Sequence, residues 1–196
     1  MSEVRPRDLR AVSRLALRRW VGGIALRTLV GGAALSLVAA PAAADVYLTP
    51  DEFVRSAFAG NPPPASTLWP SPALQQRIRG VLGRPYKQLR IRYWKAGQRS
   101  AWVLDEVGKD EEITIGFVLA DDAIERTEVL EFRESRGWEI KFPSFTRQFR
   151  GARLTPAGTL DARVDGITGA TLSVGAYERL ARLALMLHQE AVGDAR

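Results

Sequence analysis

The 196-residue chain has no cysteine and one histidine, His188. Without Cys there is no disulfide, no iron–sulfur cluster, no thiolate zinc site and no thioether-linked haem. One His excludes the usual multi-histidine metal centres. If the chain moves electrons, the carrier is an organic cofactor or a metal held by carboxylates. A dinucleotide fingerprint is also missing, since no Gly-x-Gly-x-x-Gly follows a strand-like run. That argues against a stand-alone NADH dehydrogenase. The apolar run Thr28–Ala40 has thirteen residues, short against the roughly 20 that cross a bilayer. No internal repeat is evident.

The charge balance is uneven. The whole chain carries a formal +6, but residues 1–44 hold seven Arg and two acids, which leaves 21 basic and 20 acidic side chains in the rest. A nearly neutral remainder is a poor match for nucleic acid, which is recognised first through its phosphates. The Arg-rich start, the apolar run and Ala42-Ala43-Ala44 have the layout of a signal peptide over residues 1–44. The alternative is an N-terminal membrane anchor over Trp20–Ala44 that tolerates Arg27. Either way the domain is expected to be exported and extracytoplasmic, in the periplasm or on a membrane.

Residues 45–80 read as a helical lead-in. Pro50-Asp51-Glu52 opens one helix, which Asn61-Pro62-Pro63-Pro64 stops. Ser71-Pro72 opens a second as N-cap and first position, ending near Gly80 or Gly83. Both are expected to cover one edge of the sheet.

From Leu89 the period changes to two. Leu89, Ile91 and Tyr93 alternate with Arg90 and Arg92; Ala101–Val107, Glu112–Ala120 and Arg126–Glu134 follow across short polar turns. The fold class expected is therefore α+β, an antiparallel sheet of about four to five strands covered by helices. Phe142–Phe149 reads as a short helix, with Phe145 and Phe149 one turn apart and inward. A long final helix is marked by Leu180, Leu183, Ala184 and Leu187. His188 is expected on its surface near the C-terminus.

Before that helix stands Asp165-Gly166-Ile167-Thr168-Gly169-Ala170-Thr171. By its residues alone, the stretch is either a Gly turn in which Thr171 or Ser173 caps the helix, or an anion site built on free N–H groups. The seven residues resemble the D-x-x-[ST]-G-A-T signature of the FMN-binding domain family. Glu134-Ser135-Arg136-Gly137-Trp138 is similar to its E-T-P-G-[LW] segment, with Arg136 in place of Pro. Phe145, Gln148, Phe149 and Gly151 are similar to its F-x-x-Q-F-x-G.

The resemblance covers the domain assigned to residues 81–196. It implies FMN attached to Thr171 by a phosphoester bond, installed by a separate flavin transferase that uses FAD. It implies a cofactor site made from Thr171, Thr168, Gly169, Ala170, Asp165, Gly166, Glu134, Gly137, Trp138 and Gln148. No catalytic residue and no metal ligand is expected. Arg163 and Lys141 are further candidates for pairing with the phosphate. The function implied is electron transfer with a membrane or periplasmic redox partner. The alternative is an exported binding or regulatory module of the same fold with loosely bound flavin or none.

Overall fold

Four runs with period-two patterning form the body of the sheet, and two very short strands complete its edges. The computed structural model describes residues 45–193; the expected signal segment lies outside them. In chain order the elements are β1 (Asp45–Val46), α1 (Pro50–Ala57), β2 (Ser66–Leu68), α2 (Pro72–Leu82), β3 (Ile91–Ala96), β4 (Arg99–Val107), β5 (Glu112–Ala120), β6 (Ala123–Phe132), α3 (Pro143–Thr146) and α4 (Thr171–Gly193). Short 3-10 turns flank α3 at Trp138–Lys141 and Arg147–Phe149. The six strands lie in the order β1-β6-β5-β4-β3-β2, antiparallel throughout. The α+β class holds, with six strands rather than four or five. The two additions are two and three residues long, too short to carry a period.

The helix ends follow local chemistry. Thr49 caps α1 in a capping box: its hydroxyl accepts from the Glu52 N–H, and the Glu52 carboxylate accepts from the Thr49 N–H. Ser71 Oγ accepts from the Leu74 N–H to start α2, and Gly83 ends it at φ +73°.

These helices do not line one edge. Phe53, Val54 and Ala57 of α1 pack with Trp94, Ala101, Val118 and Leu130 on one face of the sheet. The other face carries Trp102, Leu104, Ile113, Ile115, Phe117 and Leu119, covered by α4, with α2 packed against α4. β5 is thus buried on both faces, and α4 is buried between the sheet and α2.

Gly116 in β5 is where α1 comes closest. A Cβ there would lie 2.6 Å from Cε1 and Cζ of Phe53. Phe53 is fully buried, so the ring has little room to retreat. Gly116→Ala is expected to destabilise by about 1–3 kcal/mol, the usual cost of overpacking. Denaturant midpoints read this directly, and an unchanged midpoint would mean that α1 is loosely seated.

His188 is not on the surface. It is fully buried, with Nδ1 2.7 Å from Ser100 Oγ, which also accepts from Trp102 Nε1–H at 2.7 Å. Ser100 Oγ thus bridges the indole of Trp102 and the imidazole of His188 in the interior. Burial lowers the pKa of His188 below the usual histidine value, and Asp122, 3.9 Å from Nε2, opposes that only in part. Lowering the folded value means the unfolded chain binds the proton more readily. Stability is therefore lost as pH falls below about 6.5 and is level above it. Thermal melts from pH 5 to 8 should show this slope in the wild type and a flatter one in His188→Gln.

Candidate functional site

α4 opens with a defect in its own capping. The Val174 N–H bonds to the Ala170 carbonyl at 2.9 Å, the first hydrogen bond of the helix. Ala170 is therefore the capping position, and it has no side-chain oxygen to offer. Thr171 and Ser173 lie inside the first turn, so neither is the N-cap. The N–H groups at the start of this 23-residue helix have no capping side chain on the preceding residue.

The turn that delivers this helix is tight. The Ala170 N–H bonds to the Ile167 carbonyl at 3.0 Å, with Gly169 at φ +84° in the third position, where an L side chain is strained. Its entry is pinned by Gln148, whose Oε1 accepts from the Asp165 N–H at 2.7 Å. Thr168, Asp165 and Gly166 are exposed. Asp165 stands 3.7 Å from Arg163 Nε, both largely in solvent.

An open cleft of about 640 Å³ lies over the start of α4, within the roughly 300–1,000 Å³ of ordinary ligand clefts. It is lined by Gly169, Ala170, Thr171, Leu172 and Ser173 from the turn and α4. Glu134, Ser135 and Arg136 come from beyond β6, and Lys109 from the β4–β5 turn. Of the residues expected at the site, Glu134, Gly169, Ala170 and Thr171 meet here. Gly137 packs behind them: a Cβ on it would lie 2.7 Å from Ser173 Oγ and 3.2 Å from Ala170 Cβ, and its φ is +87°. Trp138, Gln148, Asp165, Gly166 and Thr168 do not line the cleft. Trp138 is 45% exposed and meets Phe142 edge to face at 5.2 Å.

Glu134 has structural work. Its Oε1 accepts from the N–H of Lys109, from that of Asp110 at 2.8 Å and from that of Glu111 at 3.1 Å. That ties the β4–β5 turn to the end of β6 and holds Lys109 at the cleft rim. α4 is fixed to the same end of the sheet by Glu106, which is 2% exposed. Its carboxylate meets Arg84 at 3.0 Å and Arg179 at 3.2 Å, and Arg179 also donates to the Val107 carbonyl at 3.3 Å.

The cationic residues at the cleft were not those the sequence suggested. Lys141 lies over the rings of Tyr47, Trp138 and Phe142 at 4.1, 5.3 and 5.9 Å. Neither Lys141 nor Arg163 lines the cleft, whereas Lys109 and Arg136 do. Their only sequence signal is a basic residue in each of two turns. With the free helix start they make a surface suited to a phosphate group, beside an exposed threonine hydroxyl. The residues present therefore fit a phosphorylated cofactor held at Thr171. No group of three or more His, Asp or Glu side chains suited to a metal occurs among the described residues.

Residues 108–186 match the model of a family described as FMN-binding domain. No curated protein and no solved structure matches the chain.

Proposed function

Taking residues 108–186 as an FMN-binding domain, we propose that this chain is an extracytoplasmic electron carrier with FMN esterified to Thr171. The observation that carries the reading is the start of α4, which is uncapped, open to a 640 Å³ cleft and bordered by Lys109 and Arg136. Thr171 is exposed, so an external enzyme can reach its hydroxyl.

Attachment is a phosphoryl transfer. Thr171 Oγ attacks the flavin-side phosphorus of FAD, the pyrophosphate bond breaks and AMP leaves. The hydroxyl proton passes to a base of the flavin transferase. Among the described residues, Asp165 lies outside the cleft lining beside Arg163, and Glu134, the acid in the lining, has its Oε1 engaged by three N–H groups. Self-modification is therefore not expected. Bound FMN supplies the redox chemistry. The chain holds the phosphate end through α4 and leaves the cleft open, so that electrons pass to or from a membrane or periplasmic partner. The segment 1–44 serves as the export signal or as a membrane anchor.

The test is the bond. Protein matured with FAD and a flavin transferase, then precipitated in acid, should keep its yellow colour in the pellet. Colour released to the supernatant would favour the other reading, an exported binding or regulatory module with loosely held flavin. A colourless preparation beside an active control substrate would favour the same module without flavin.

A further inference from the structure

We propose that the end of the sheet where the chain enters at Asp45 is a docking face for the surface of a lipid bilayer. The proposal needs no cofactor and stands without the flavin reading.

The register defines that end. Asp45 pairs with Phe132 at the close of β6, and Ile113 of β5 pairs with the same Phe132. Val107 pairs with Glu112 across the β4–β5 turn, and Leu68 pairs with Ile91 at the start of β3. One end of the sheet therefore carries residue 45, the β4–β5 turn and the approach to β3. The large apolar side chains left exposed gather there. Trp69 and Leu89, 67% and 79% exposed, stand just beyond the paired ends of β2 and β3. Val46, Tyr47, Trp138 and Phe142 stand at the β1 edge, where Lys141 Nζ lies over the last three rings and draws them together. Leu172, 54% exposed, lines the cleft beside the β4–β5 turn. The other end of the sheet turns at Gly97-Gln98 and at Asp121-Asp122 and exposes no large apolar side chain among the described residues.

Single exposed apolar residues are ordinary, but seven confined to one end mark a contact surface. Three features favour a bilayer as the contact. Indole and phenol rings beside Lys and Arg are the side chains that lodge at headgroup level, with the ring in the apolar boundary and the cation in water. Here Lys141 lies over Tyr47 and Trp138, and Arg90 follows Leu89. The two groups stand at opposite edges of the sheet, five strand intervals of about 4.8 Å apart, which is roughly 24 Å. An extended surface meets both at once. Finally, the apolar run Thr28–Ala40 ends five residues before Asp45, so this is the end that a membrane-bound N-terminal segment would tether. The charges here largely cancel: Lys87 pairs with Glu112, Lys109 with Asp110 and Arg133 with Glu131. Apolar and aromatic contact therefore carries the docking, and added salt should weaken it little. The cleft over the start of α4 lies at the same end, so docking turns it toward the membrane.

Because the chain has no cysteine, a single introduced thiol places a dye. Leu89→Cys and Gln98→Cys, each labelled with nitrobenzoxadiazole, report the two ends of the sheet. The full chain, without flavin, is reconstituted with phosphatidylcholine vesicles that contain phosphatidylglycerol and a nitroxide-bearing lipid. The dye on Leu89→Cys is expected to shift to the blue and be quenched by the nitroxide, and the dye on Gln98→Cys to do neither. Adding Trp69→Ala/Trp138→Ala to the Leu89→Cys chain should lower the ratio of docked to free domain at least about tenfold, the effect of losing two partly buried indoles. Trp69→Ala alone should fall between. Thermal melts check folding, and the single variant keeps the test if Trp138→Ala disturbs the fold. Equal quenching at the two positions overturns the proposal and leaves this end for a protein partner. So does quenching on Leu89→Cys that survives both Trp variants, which would reflect tethering by residues 1–44 alone. Neither outcome touches the flavin reading, which is decided by the bond at Thr171.

Discussion

Thr171→Ala is expected to abolish flavin attachment while leaving the fold as stable as the wild type. Intact mass after maturation should show one added FMN ester in the wild type and none in the variant. The size of the effect is all or none, because the ester needs an oxygen at that position and Ala has none. Stability should barely move for three reasons. Thr171 is exposed, it is not the residue that caps α4, and Ala suits a first-turn position better than Thr. Thr171→Ser separates chemistry from shape: it keeps a hydroxyl and should still be modified, more slowly if the methyl group sets the rotamer. Attachment that persists in Thr171→Ala would place the bond elsewhere, with Thr168 the first residue to examine. A variant that loses both flavin and fold would mean that Thr171 has a packing role its exposure does not suggest.

The second large effect is on stability. Removing both cations that face Glu106, as Arg84→Met/Arg179→Met, should cost about 3–5 kcal/mol. The reasoning is asymmetric. Glu106 is 2% exposed, while the side chains of Arg84 and Arg179 retain 34% and 29% of their exposure. Without the arginines the carboxylate is stranded in the interior. Without the carboxylate both guanidinium groups still reach water, so Glu106→Leu should cost less than the double variant. The two single Arg variants should each be milder, and their costs should sum to less than that of the double, since each leaves the other cation in place. Denaturant midpoints for the four variants check the order. Equal costs for Glu106→Leu and the double variant would mean that the pairs act as surface ion pairs, not buried ones.

Much of this could be read from the chain, and the parts that could not share a cause. The alternation of Ile91 and Tyr93 with Arg90 and Arg92, and the run Ile113, Ile115, Phe117 and Leu119, mark strands because one face of each meets the core. Ser71-Pro72 and Gly83 bound α2 because caps are local chemistry. The seven-residue motif was legible for the same reason. The burial of His188 was not. Its partner Ser100, which also accepts from Trp102, comes from β4, 88 residues earlier. The side of α4 that the apolar spacing leaves free is covered by other elements. The same holds for the cleft. Lys109 and Arg136 reach Thr171 only after β4, β5 and β6 pair in register, and Glu134 holds a turn 25 residues before it. Residues 45–46 and 66–68 were hidden because strands of two or three residues gain their pairing from neighbours, not from their own sequence.

α4 starts at Thr171, and 14 of its 23 residues are buried. Amides in the buried middle of such a helix are expected to exchange their hydrogens with solvent only when much of the domain opens. A cofactor bound at the start of this helix, as proposed above, would sit one turn away from that buried segment. If the chain carries electrons as proposed, such a mount would keep the reorganisation that accompanies each transfer small.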